Sequence, residues 1–121
     1  MDPIKVNLAE KFDLFEDHWN PRIIGELNGQ HIKLARLIGD FVWHQHENED
    51  ELFLVIEGTL QIELADKTLM LNPGEFAIIP KGTLHRPKAA GEVKVLLFEP
   101  KTTLNTGNLD NEFTRKDLDR I

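Results

Sequence analysis

Gly39-Asp40-Phe41-Val42-Trp43-His44-Gln45-His46-Glu47-Asn48-Glu49-Asp50-Glu51 places two histidines two residues apart and ends on a glutamate where the apolar run Leu52-Phe53-Leu54-Val55-Ile56 begins. Alternate side chains of an extended chain point the same way, so a strand over 41–46 sets His44 and His46 side by side. The apolar run has the length and the β-branched and aromatic content of a buried strand, and Gly58 ends it. The acidic residues between become a hairpin connection. They lack the spaced oxygen ligands and central glycine of a calcium loop.

A second stretch echoes the first. Asn72-Pro73-Gly74 reads as a tight turn, Phe76 to Ile79 as a strand, and Pro80-Lys81-Gly82 as another turn. His85 follows three residues after Gly82, where a returning strand starts, and adds a third imidazole.

This arrangement resembles the cupin superfamily, whose motifs run G-x5-H-x-H-x3,4-E-x6-G and G-x5-P-x-G-x2-H-x3-N. The chain supplies Gly39, His44, His46, Glu51 and Gly58 for the first, and Gly74, Pro80, Gly82 and His85 for the second. It departs in having four residues between Gly39 and His44, and in carrying Ala89 at the final asparagine position. Neither departure falls on a ligand position. The resemblance implies an all-β, single-domain jelly-roll barrel (a double-stranded β-helix) with short terminal helices, in which His44, His46, Glu51 and His85 bind one divalent metal ion. It also implies a homodimer built by sheet packing. Short bacterial cupins with an Asn-Thr-Gly segment after the last strand, here Asn105-Thr106-Gly107, are often labelled mannose-6-phosphate isomerase-like.

The composition agrees with one such domain over residues 1–121. A chain of 121 residues buries roughly two-thirds of its unfolded surface without staples. Its formal charge of −7 repels nucleic acid, and no basic stripe offsets it. The absence of cysteine excludes disulfides and thiolate metal sites and suits the cytoplasm. Met1-Asp2-Pro3-Ile4-Lys5 lacks the basic start and apolar core of a secretory leader, and no apolar run is long enough for a membrane span.

Around the motif core at about 39–89, an N-terminal helix and hairpin are expected over 7–38. Asn7 with Glu10 three residues on predicts a helix over Leu8 to Phe12, whose Leu8 and Phe12, with Phe15, form an apolar edge. Asn28-Gly29 joins strands over Arg22 to Leu27 and Gln30 to Ile38. His18 in its loop and His31 beside the turn are given no part in the metal site. Thr59 to Ala65 and Thr68 to Leu71 read as a hairpin turned at Asp66-Lys67, and Val93 to Glu99 as the last strand, for eight to ten strands in all. Residues 100–121 are expected to be a loop and a short helix capped by Thr114.

Strand parity makes a further prediction. If His44, His46 and Glu51 point inward, so do Val42, Phe53 and Val55. Phe41, Trp43, Leu52, Leu54 and Ile56 then point outward, and that apolar face needs covering by the N-terminal segment or a second subunit.

Three imidazoles and a carboxylate suit iron, manganese, zinc, nickel, cobalt or copper and disfavour calcium. With no nucleophile elbow or phosphate-cradling loop, any reaction is metal-centred. Two readings follow: an enzyme acting on a small polar metabolite, as oxygenase or sugar/keto isomerase, or a non-catalytic barrel that binds metal and a small ligand as sensor or carrier. Phe53, Val55 and Arg36 are candidate pocket residues. Lys81, Arg86 and Lys88 near His85 suit a small anionic ligand, or are solvated charges.

Overall fold

The computed structural model describes residues 2–121; Met1, where the leader reading begins, lies outside them. Asn7 caps the helix α1 (Leu8–Phe12), its side-chain oxygen accepting the Glu10 amide at 3.0 Å. Seven strands follow: β1 (Arg22–Leu27), β2 (Gln30–Asp40), β3 (Glu51–Glu57), β4 (Leu60–Glu63), β5 (Thr68–Leu71), β6 (Phe76–Ile79) and β7 (Arg86–Pro100). Asn28 and Gly29 both take positive φ, as a two-residue hairpin turn requires.

Every strand pairing is antiparallel, in the order β1-β2-β7-β3-β6, with β4 bonded to both β5 and β7. Alternation along the strands sends Ala35, Leu37, Phe53, Val55, Leu60, Ile62, Val93, Val95 and Leu97 into one buried cluster. Fully burying side chains of this size contributes roughly 1.5–3 kcal/mol each, so this cluster dominates the stability of the barrel. Phe12, Phe15, Ile24 and Leu34 form a second cluster on the opposite face, against Ile56 and Leu96. The N-terminal segment therefore covers part of the outward face, as parity requires.

Four expectations need correction. First, 41–46 is not a regular strand. His44 makes an isolated bridge with His85, and the Phe41 amide donates to the Pro87 carbonyl at 2.9 Å. Proline has no N–H to return the bond, so the ladder breaks there. The break resets the alternation, and Phe41, expected outside, is buried against Trp19 with ring centroids 4.6 Å apart. Second, the returning strand and the last strand are one, passing without interruption through Ala90-Gly91; with the loss of the 41–46 strand this brings the count to seven among the described residues.

Third, residues 101–121 form no helix. Their polar side chains take the backbone groups a helix would use: Asn105 Nδ2 donates to the Phe113 carbonyl at 2.7 Å, the Arg115 amide donates to Asn105 Oδ1 at 2.9 Å, and the Asn111 amide donates to Thr114 Oγ1 at 3.0 Å. Fourth, Arg36 lies away from the barrel interior. Its guanidinium donates to the Phe12 and Phe15 carbonyls and pairs with Glu92.

Candidate metal centre

Three separate pieces of chain bring the four predicted ligands together. His44 and His46 come from the broken segment after β2, Glu51 opens β3, and His85 precedes β7. All four are buried, and one ligand atom from each lies within 4.8 Å of the others. Donors bound at about 2.0–2.2 Å lie at most about 4.4 Å apart across an ion, so side-chain movements of a few tenths of an ångström close this set on a metal.

Hydrogen bonds orient the rings. His44 Nδ1 lies 2.9 Å from the Val42 carbonyl, and His85 Nδ1 lies 2.9 Å from the Thr83 carbonyl. A carbonyl only accepts, so each Nδ1 carries the proton and each Nε2 keeps a lone pair, the form a metal binds. Among the described residues His46 Nε2, His85 Nε2 and Glu51 Oε1 are buried without hydrogen-bond partners; Glu51 Oε1 sits 3.4 Å from one nitrogen and 3.5 Å from the other. Leaving three converging polar atoms unpaired is costly unless a cation serves them all. The donor set therefore fits a divalent transition metal ion.

Burial, aided by the nearby His85, pushes the His44 imidazole down to about 4. His44 is therefore neutral near pH 7.

Glu99 has no counterpart in the sequence motifs. It is buried on β7, with Oε1 2.9 Å from the ammonium of Lys33, itself buried on β2, while Oε2 has no partner among the described residues. Burial and the charge of Glu51 push Glu99 well above the ordinary carboxylate range, against the pull of Lys33. Parity along β2 and β7 was the one available signal, since Lys33 and Glu99 fall in phase with inward Ala35, Leu37, Val95 and Leu97.

A cavity of about 40 Å³ opens beside His44 and Glu51. Trp19, Phe41 and Phe53 give it an aromatic wall, and Glu99 and Asn105 add polar groups. Phe53 thus lines the site as expected. Val55 is buried in the core but does not line the cavity. Trp19 holds a positive φ of 57°, rare for a bulky residue, and is fixed there by its indole N–H donating to the Ile38 carbonyl at 2.8 Å and its amide to the Arg36 carbonyl at 3.0 Å. No spacing in the sequence foretells it. Two of the cations near His85 are already engaged: Arg86 is 2.8 Å and Lys88 3.7 Å from Glu63. His31 and His18 lie outside the four-residue set, paired with Glu26 and Glu92.

This barrel and its His-His-Glu-His cluster define a cupin, and the chain belongs to that family: the family profile described as a cupin domain matches residues 38–99. The uncharacterized protein YdbB of Bacillus subtilis (strain 168) is 43% identical over 95 residues, spanning 78% of this chain and 83% of that one. The crystal structure of a cupin-2 domain containing protein from Shewanella frigidimarina has 47% identity and a TM-score of 0.79, covering 79% of this chain and 94% of that one. A protein of Neisseria meningitidis with 29% identity superposes with a TM-score of 0.75, covering 81% of this chain and 100% of that one.

Proposed function

We propose that the chain binds one divalent transition metal ion through His44, His46, Glu51 and His85 and acts as a metal-dependent enzyme on a small molecule held in the adjoining cavity. The observation that carries this reading is the burial of His46 Nε2, His85 Nε2 and Glu51 Oε1 together without partners. Such an ion supplies Lewis acidity and, if redox-active, access to oxygen chemistry. Val42 and Thr83 hold two of the imidazoles in orientation. Trp19, Phe41 and Phe53 shed water and favour an apolar body, while Glu99 and Asn105 receive a polar group.

That lining selects within the two reaction types considered. No lysine or arginine lines the cavity, so the phosphate of a sugar phosphate has no cation to meet it. A small keto compound that chelates the metal meets no such mismatch, for oxygen-dependent cleavage or isomerisation. The size of the cavity favours a second reading, a barrel that binds metal and ligand without turnover. About 40 Å³ holds roughly three waters at ~10–15 Å³ each.

Protein purified anaerobically without a histidine tag should carry one ion per chain by plasma mass spectrometry. Glu51→Ala and His85→Ala should lose it with the barrel's circular dichroism unchanged. Full metal content in either variant, or none in the parent after reconstitution, would remove the metal reading. Oxygen uptake or isomerisation by the loaded protein with small chelating keto compounds supports the enzyme; binding without conversion supports the second reading.

The assembly belongs to the same reading. A second copy of the chain covers the apolar face left open beyond the N-terminal segment, giving a homodimer, and cysteine-free chemistry of this kind suits the cytoplasm. Among the described residues no helix is long and apolar enough to cross a membrane.

A further inference from the structure

The chain carries a net charge of −7, yet four of its 14 lysines and arginines line one hollow of about 150 Å³ between the β1–β2 hairpin and the irregular C-terminal segment. Lys33, Lys101, Arg115 and Lys116 surround it together with His31 and Thr103, and no aspartate or glutamate lines it. We propose that this hollow is a binding site for phosphate, free or as the phosphoryl group of a small metabolite, separate from the metal cavity.

The carboxylates that partner these cations do not neutralise the hollow. Lys101 reaches Glu26 and Lys116 reaches Asp110 only at 3.7 Å, with both pairs solvent-exposed and therefore weak. Arg115 forms no ion pair among the described residues; its Nη1 donates to the backbone carbonyls of Glu112 and Thr114 at 3.0 and 3.2 Å. Lys33 is the exception, bound to Glu99 at 2.9 Å. Positive charge concentrated in a concave, partly desolvated place attracts anions strongly even on an acidic protein.

Two residues that line the hollow also hold buried polar atoms without a partner among the described residues. His31 and Thr103 are more than nine-tenths buried, and His31 Nδ1 and Thr103 Oγ1 have no hydrogen-bond partner. His31 Nε2 lies 3.2 Å from Glu26 Oε1, so it carries the ring proton and leaves a lone pair on Nδ1. Hydrogen phosphate answers the cations of the hollow, its oxygens accepting from the Arg115 guanidinium and the Lys101 and Lys116 ammonium groups. A carboxylate brings a single charge and two oxygens to the same cations, where the phosphate dianion brings two charges. Lys33 lines the hollow while Glu99 lines the metal cavity, so their ion pair forms the wall between the two. Phosphate binding requires no metal, and the site stands or falls apart from the metal reading.

The test uses the 15N-labelled full chain, treated with chelator, in phosphate-free buffer, titrated with inorganic phosphate to about 20 mM, well above a Kd of about 1 mM. Saturable shifts are expected at the amides of Lys101, Thr103 and Arg115. Lys101→Gln/Arg115→Gln should weaken binding at least about tenfold, as loss of two charge-assisted contacts implies, while Lys67→Gln on the β4–β5 turn should leave it unchanged. No saturation, an equal response to chloride, or unaltered binding by the double variant would each overturn the site. An unchanged spectrum away from the substitutions shows that the double variant is folded.

Discussion

The ammonium of Lys33 and the carboxylate of Glu99 meet at 2.9 Å with both side chains almost wholly out of solvent, 66 residues apart in sequence and on neighbouring strands. Burying the two groups costs about what their attraction returns, but removing Lys33 leaves Glu99 buried beside Glu51 without its cation. Lys33→Met should therefore destabilise the protein by about 3–5 kcal/mol in urea unfolding, and Lys33→Met/Glu99→Leu should recover most of that loss. If the double variant were as unstable as the single, the pair would not be the cause.

His44 makes the metal-free protein sensitive to acid. Its imidazole is held near 4 when folded, against an ordinary value of 6.5. Between those values the unfolded chain takes up a proton that the folded chain refuses. Stability from this residue is thus complete above about pH 6.5 and lost as the pH falls towards 4, by up to about 3 kcal/mol. Chelator-treated protein should show this fall in the midpoint of urea unfolding, and His44→Gln should show less of it. A parent and variant with the same dependence over this range would remove His44 as the source.

Gly107 bears directly on the site. A Cβ there would run into the carbonyl of Gln45, the residue between His44 and His46, and its φ of 63° already disfavours a side chain. Gly107→Ala should cost more than about 1 kcal/mol and displace the paired histidines, lowering metal occupancy. Gly29→Ala is the control. It shares a positive φ but has no atom near the added carbon, so it should cost about 1 kcal/mol with metal content unchanged. Equal effects of the two substitutions on metal would show that strain, not the Gln45 contact, is responsible.

What the sequence discloses and what it hides divide along physical lines. Helix α1, strand β1, the Asn28-Gly29 turn and strands β5 and β6 rest on local turn and cap chemistry, and their bounds were readable residue by residue, whereas β2 runs two residues beyond the expected Ile38 to Asp40. The four candidate ligands were readable from motif spacing. Phe41 was misplaced because a proline across the pairing, not its own neighbours, breaks the strand at that point. The C-terminal segment lost its expected helix to side-chain bonds spanning up to ten residues. Trp19, Lys33 and Glu99 reach the cavity or its wall through contacts that only the closed barrel creates.

The open sheet face makes the last prediction. Register aligns Ile32, Phe98, Leu52 and Ile78 in one cross-strand row and Leu34, Leu96, Leu54 and Phe76 in the next. The N-terminal cluster covers Leu34 at one end, whereas Phe76 and Ile78 on β6 are more than half exposed at the other. β6 also ends the sheet order, so its free edge and its apolar face lie together. A second copy laid on this face buries both rows, and light scattering at micromolar concentration should give the mass of a dimer. Phe76→Lys/Ile78→Lys places like charges in the middle of that contact and should yield a monomer, since each unpaired buried charge costs several kcal/mol. A monomeric parent, or a double variant that stays dimeric, would move the interface elsewhere or abolish it.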